Sequence, residues 1–145
     1  MSVRIKLAEA PLEVHDILRV RHDVFVEEEG YLPPQDAGLL VDHYDALPTT
    51  TNLVATVDGN VVGGMRLTLS SDAGMPTDAV FDFTTVTPLD ACLAAGGMLC
   101  VRREARMVDR LVTGLLQMIM YRAWASGCTH ICGAMNPRIR TFVEY

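Results

Sequence analysis

The chain has no uncharged apolar run of bilayer-spanning length, and no basic-then-apolar leader with a small-residue cleavage site. These absences exclude a membrane span and a secretory signal, and the protein reads as cytoplasmic. It also lacks excess positive charge. The net charge is -6, which argues against nucleic acid as the main partner. No internal repeat or low-complexity stretch is present. Cysteine is sparse: Cys92, Cys100, Cys128 and Cys132 in 145 residues. In a cytoplasmic setting they are expected to stay thiols. Cys128, His130 and Cys132 alternate, so on a strand they would share a face and could hold zinc with one further ligand. Their spacing matches no familiar zinc pattern, and Ile131 and Gly133 instead suggest a buried central strand. No metal site is expected.

A chain of this length is long enough for a single domain, residues 1–145, that buries most of its apolar surface. Half the residues are apolar and a fifth are charged, which is ordinary for a globular protein. The charge is unevenly spread. Residues 1–100 hold five basic and fifteen acidic side chains, whereas residues 101–145 hold seven and three. The basic residues of the C-terminal third (Arg102, Arg103, Arg106, Arg110, Arg122, Arg138, Arg140) are all arginine, the side chain suited to phosphate forks. That third is either a solvated surface or an edge that receives anions.

Chemistry first shows in the stretch from Arg21 to Tyr31. It closes an amphipathic helix that opens at Pro11, in the helical turn that tolerates proline. Val14, Ile17, Leu18, Val24 and Phe25 form its apolar stripe, and Arg21 falls on that stripe. A buried guanidinium costs several kcal/mol unless an anion meets it. Arg21 therefore meets a partner carboxylate within the fold or points into a cleft that receives a charged group.

Around this helix the pattern predicts strands over residues 3–7, 52–57, 61–69, 98–104 and 129–134. Asp58-Gly59 forms a hairpin turn between the second and third strands. The loop of residues 31–50 carries Asp42-His43-Tyr44-Asp45, and Arg66 shares a strand face with Val62, Gly64 and Thr68. The turn-rich stretch 70–97 is read as a functional loop with one short helix near residues 89–95. Asp109 is expected to cap a long helix that ends at Ser126 and Gly127, and a last helix is expected from Pro137 or Arg138 to Tyr145. The order β-α-β-β-β-α-β-α implies an α/β fold with a mixed sheet.

These residues resemble a known group. The element order is similar to the GNAT acyltransferase fold, a mixed β-sheet flanked by helices in an α/β/α sandwich. The motifs resemble the acyl-homoserine-lactone (autoinducer) synthases of quorum sensing and the related N-acyl amino acid synthases. Arg21, Phe25 and Tyr31 match a spaced arginine, phenylalanine and aromatic, although autoinducer synthases prefer tryptophan at the third position. Asp42 and Asp45 match an Asp-x-x-Asp, and Gly63, Arg66 and Leu67 match a Gly-x-x-Arg-Leu. The family's glutamate and arginine stand three apart; here Glu104 and Arg106 stand two apart, so one role is lost or passes to Arg103. The family also continues into two further C-terminal strands. Their absence here suggests a fragment or a chain that borrows strands from a neighbour, as a homodimer would.

The resemblance implies an enzyme that moves a fatty acyl group from a thioester to an amine. Glu104 would act as general base through water, with an ion pair to Arg21, Arg66 or Arg106 as the structural alternative. Asp42 and Asp45 would hold a cationic acceptor, either an amino acid or S-adenosylmethionine, unless they only bond their own turn. Tyr31 leans toward the amino acid. The gap where the fourth and fifth strands splay would admit the pantetheine arm, and backbone N–H groups there would serve the carbonyl. Residues 105–114 lack the glycine-rich loop that wraps a CoA pyrophosphate, and Asp109 puts negative charge in its place. This favours acyl carrier protein (acyl-ACP) over acyl-CoA as donor, docked through Arg103 and Arg110, with no further cofactor. The rival readings are a CoA-dependent N-acetyltransferase, a catalytically inactive binding domain, and a zinc module around Cys128.

Overall fold

A computed structural model of the protein describes residues 1–134. The order is β1 (Val3–Leu7), α1 (Pro11–His22), β2 (Thr50–Val57), β3 (Asn60–Leu69), β4 (Leu93–Val101), α2 (Leu111–Ala125) and β5 (His130–Cys132), with short single-turn segments between them. The strands form one sheet in the order β1-β2-β3-β4-β5. The first four run antiparallel to their neighbours, and β5 runs parallel to β4. The turn at Asp58-Gly59 has positive φ at both residues (49° and 84°), the geometry that a tight two-residue hairpin requires.

Among the described residues, one helix packs on each face of the sheet. Strand alternation places Leu53, Ala55, Met65 and Leu67 toward α2, where Leu111, Leu115, Ile119 and Ala123 complete the larger core. The opposite face packs Val54 and Cys100 against Ile17, Val20 and Val24 of α1 and its extension. Gly64 makes the α1 contact possible: a Cβ there would run into the Leu53 carbonyl and the Ile17 side chain.

Several expectations are corrected. No helix forms near residues 89–95, because β4 begins at Leu93 and pairs with β3 from Leu69 to Gly63. The strand ends at Val101 rather than Glu104, and Arg103–Ala105 is a single 3-10 turn. Asp109 does not cap α2. The capping position belongs to Arg110, in a left-handed conformation (φ 61°), and Asp109 stands outside the helix, exposed. Gly127 follows α2 with φ 83°, as a helix stop does. The helix expected from Pro137 or Arg138 lies outside the described residues, as do Arg138 and Arg140. Among the described residues no helix is long and apolar enough to cross a membrane.

Candidate active site

The polar centre of the molecule is a buried network of two arginines and two aspartates. Arg21 is fully buried, and its guanidinium donates to Asp45 Oδ1 at 2.7 Å and to Asn52 Oδ1. Arg66, also buried, grips Asp42 with both terminal nitrogens, at 2.7 and 3.0 Å, and reaches Asp45 Oδ2 at 3.2 Å. Local chemistry holds the acidic pair in place. Asp42 caps the 3-10 turn His43–Ala46 by accepting from the Tyr44 N–H, and the Asp42 N–H donates to Asp45 Oδ2. Strand register brings the arginines together, because Asn52 stands directly across from Arg66.

Charges balance within this group, which is how a low-dielectric interior accommodates them. Burial on its own would raise the Asp45 carboxyl. The Arg21 charge, the Asp42 N–H and Arg66 outweigh it and hold the pKa below the usual carboxylate value. Asp45 thus spends both oxygens inside the protein. Asp42 is about a third exposed, and its oxygens are likewise bonded, to Arg66 and to the Tyr44 N–H. Of the two readings of Arg21, the structure shows a carboxylate partner within the fold: the side chain is fully buried against Asp45 and Asn52.

Next to this network the sheet opens. β4 and β5 pair only from Leu93 to Ala95, opposite His130 to Cys132. From Gly96 to Val101, β4 has no β5 partner among the described residues. The edge is also kinked. Met65 alone occupies the interval that Met98 and Leu99 occupy on β4, and Met98 takes a left-handed φ of 53°.

Two cavities flank the kink. One, of about 270 Å³, is mainly apolar and includes Val24, Phe25, Tyr31, Leu99, Cys100 and Val112, with Glu29 and Arg106 at its margin. The other, of about 210 Å³, lies by Arg66, Thr77, Gly97 and Met98. Phe25 and Tyr31 reach the first cavity because α1 does not end at His22 but widens into a π-turn, Asp23–Glu28, from which the Tyr31 N–H returns to the Phe25 carbonyl. Such turns are frequent at functional sites.

The structure separates the remaining expected residues. Arg106 frames the apolar cavity, held at 2.6 Å from Glu28 and 3.2 Å from Glu29, and its Nε donates to the Val101 carbonyl. Glu104 is not with the network. It is exposed and lines a polar groove with Asp16, Arg19 and Arg102, because β4 has already ended and the 3-10 turn carries it outward. Arg103 and Arg110 are exposed. Sequence reasoning missed Asn52, Glu28 and Glu29, the Met98 kink and Cys100. Repeated acids at residues 27–29 opposite a run of arginines were a usable signal for the Glu28–Arg106 pair. The kink had none. Cys100 lines the apolar cavity, but burial pushes its thiol up to about 11, so it is a wall rather than a nucleophile.

Among the described residues, a mixed sheet kinked at Met98, with β5 parallel to the start of β4 and a helix packed on each face, has the architecture of the GNAT-like acyltransferase fold. Comparisons with known proteins agree. The family model for the N-acyl amino acid synthase FeeM matches residues 16–144, and the chain belongs to that family of acyl-transferring enzymes. The solved structure of FeeM, an N-acyl amino acid synthase from uncultured soil microbes, superposes with a TM-score of 0.82 at 16% identity, over 98% of this chain and 76% of that one. BjaI, a CoA-dependent acyl-homoserine lactone synthase solved with SAM and isopentyl-CoA, gives 0.77 at 26% identity, over 99% and 72%. A glucosamine-6-phosphate N-acetyltransferase from Arabidopsis thaliana gives 0.61 at 13%, over 99% and 89%, a likeness of fold alone. No curated protein sequence matches the chain.

Proposed function

We propose that the protein transfers a fatty acyl group from a carrier thioester to the amine of an amino acid. The observation that carries this reading is the juxtaposition at the β4 kink. An apolar cavity walled by Phe25 and Cys100 lies on one side, and a smaller cavity lined in part by Arg66 and Thr77 lies on the other. The thioester arm lies along the open edge of β4, with the start of the acyl chain against Val24, Phe25, Leu99 and Val112. Backbone N–H groups at the kink face the carbonyl oxygen and stabilise the negative charge that develops when the amine attacks. Asp42, anchored by Arg66, orients the acceptor's amine. The amine attacks as the free base, the C–S bond breaks as the C–N bond forms, and the departing thiolate takes up a proton from solvent. Glu104 lines the outer groove with Asp16 and Arg102, so in this reading it is not the base and the amine's proton goes to water.

Acyl-ACP is the favoured donor. The segment before α2 has no glycine-rich phosphate wrap, and the exposed charge of Asp109 just before the helix disfavours a pyrophosphate there. Exposed Arg103 and Arg110 suit an acidic carrier protein. A CoA thioester is the second reading, favoured by the CoA dependence of BjaI. Initial rates with matched acyl-ACP and acyl-CoA, at equal chain length, test the choice. The proposal expects at least a tenfold higher kcat/KM with acyl-ACP; equal or better use of acyl-CoA overturns the donor assignment.

A further inference from the structure

Two cysteines face each other away from the acyl cavity. Cys92 is exposed and stands one residue before β4; Cys128 is buried between α2 and β5. Their sulfurs are 3.9 Å apart. The flanking backbones are already clamped. The Cys92 N–H donates to Thr129 Oγ1 at 2.9 Å, and the Thr129 and His130 N–H groups both donate to the Cys92 carbonyl, at 2.8 and 3.2 Å. This clamp is the first rung of the β4/β5 pairing, immediately before Leu93 meets His130. A disulfide needs sulfurs about 2.0 Å apart, so closure asks for side-chain rotation on a backbone that is already held in register.

We propose that Cys92 and Cys128 are a redox pair that closes a reversible disulfide across the base of the β4/β5 fork. With hydrogen peroxide as the oxidant, the accessible Cys92 thiolate attacks one oxygen. An S–O bond forms, the O–O bond breaks, and one water leaves, giving a sulfenic acid. The Cys128 sulfur then attacks Cys92, the S–S bond forms, the S–O bond breaks, and the oxygen departs as a second water with the Cys128 proton. Two thiols have given up two electrons, and one peroxide has become two waters. Roles follow from exposure. Burial and the neighbouring Cys92 push the Cys128 thiol up to about 11, which leaves the first attack to Cys92. Cys100 and Cys132 are buried, each in a different apolar cluster, and neither is paired with another cysteine. The bond would tie residues 93–127 into one loop, the segment that contains the β4 kink and all of α2.

The test uses the full chain treated with hydrogen peroxide, then alkylated without reduction. The expected intact mass is lower by two hydrogens before alkylation, with two of the four thiols left to alkylate. Trypsin leaves Cys92 on a peptide with Cys100 and Cys128 on one with Cys132, so fragmentation spectra must assign the cross-link, and they are expected to give Cys92–Cys128. The Tm should rise by roughly 5–10 °C on oxidation and return with dithiothreitol. Cys92→Ser, at an exposed position, should abolish both the cross-link and the shift. The proposal is overturned if Cys92 ends as a sulfinic acid with Cys128 alkylated, if the link runs through Cys100 or Cys132, or if all four thiols remain free while a control dithiol is oxidised.

Discussion

Arg21 is fully buried, and its charge is answered by Asp45 and Asn52 from segments far away in the chain. Replacing it with methionine leaves Asp45 short of its nearest cation, and breaking a buried pair from one side costs about 3–5 kcal/mol. Urea unfolding of Arg21→Met should show that loss. A change under about 1 kcal/mol would mean the pair contributes as little as a surface one. Asp45 sets a second expectation. Its folded pKa is depressed, so its contribution to stability is complete above the ordinary carboxylate range and is lost as pH falls through the depressed value. Unfolding measured from pH 6 down to 2 should show wild type losing stability below about pH 4, and Asp45→Asn losing less over that window. Glu104 provides the contrast. Removing a working general base costs about 100-fold or more, yet Glu104→Gln should keep kcat within about threefold because the side chain lies outside the site. The position of Arg21 on an apolar stripe was readable from helical spacing. The identity of its partner was not, since Asp45 reaches it only through tertiary structure. The end of β4 was not readable, because where the strand stops depends on its pairing, and so Glu104 lies beyond it on a 3-10 turn.

At the level of elements, β4 holds the largest surprise, and the proposed chemistry is placed on it. Leu93–Val101 contains two alanines and two glycines, poor strand formers, and so the start of this strand passed for a loop with a short helix. Pairing with β3 and cover from α2 override that preference. Strands β1, β2 and β3 were legible because their alternation and the Asp58-Gly59 turn agree with the final sheet. The π-turn after α1 left no trace in the periodicity. Met98 is the test of this element. Deleting it restores even pairing with β3 and removes the kink that aims the open edge. The account expects native-like circular dichroism and at least about a 100-fold fall in kcat, the usual cost of losing an oxyanion donor. A folded deletion variant with unchanged kcat would show that the kink plays no part in catalysis.

The whole molecule keeps its charges apart, acidic before residue 100 and arginine-rich after it. The structure lowers what this asymmetry can offer a partner. Arg102 is paired with Asp23 at 2.6 Å and Arg106 with Glu28, so the basic segment is partly spent on fixing the π-turn to the end of β4. Arg103 and Arg110 remain at the surface, and rim charges act mainly on association and its salt dependence. The double variant Arg103→Glu/Arg110→Glu should raise the KM for acyl-ACP about tenfold, flatten its salt dependence and leave kcat nearly unchanged. An unaltered KM would remove these arginines from carrier docking. In the proposed reaction a thioester and an amine meet at the β4 kink. The most direct measurement of that reaction is liquid chromatography with mass spectrometry on purified protein incubated with a long-chain acyl-ACP and a mixture of amino acids. The account predicts an N-acyl amino acid and an equal quantity of freed carrier thiol, both dependent on active protein. An intact thioester, or hydrolysis to free fatty acid with no amide product, would contradict it.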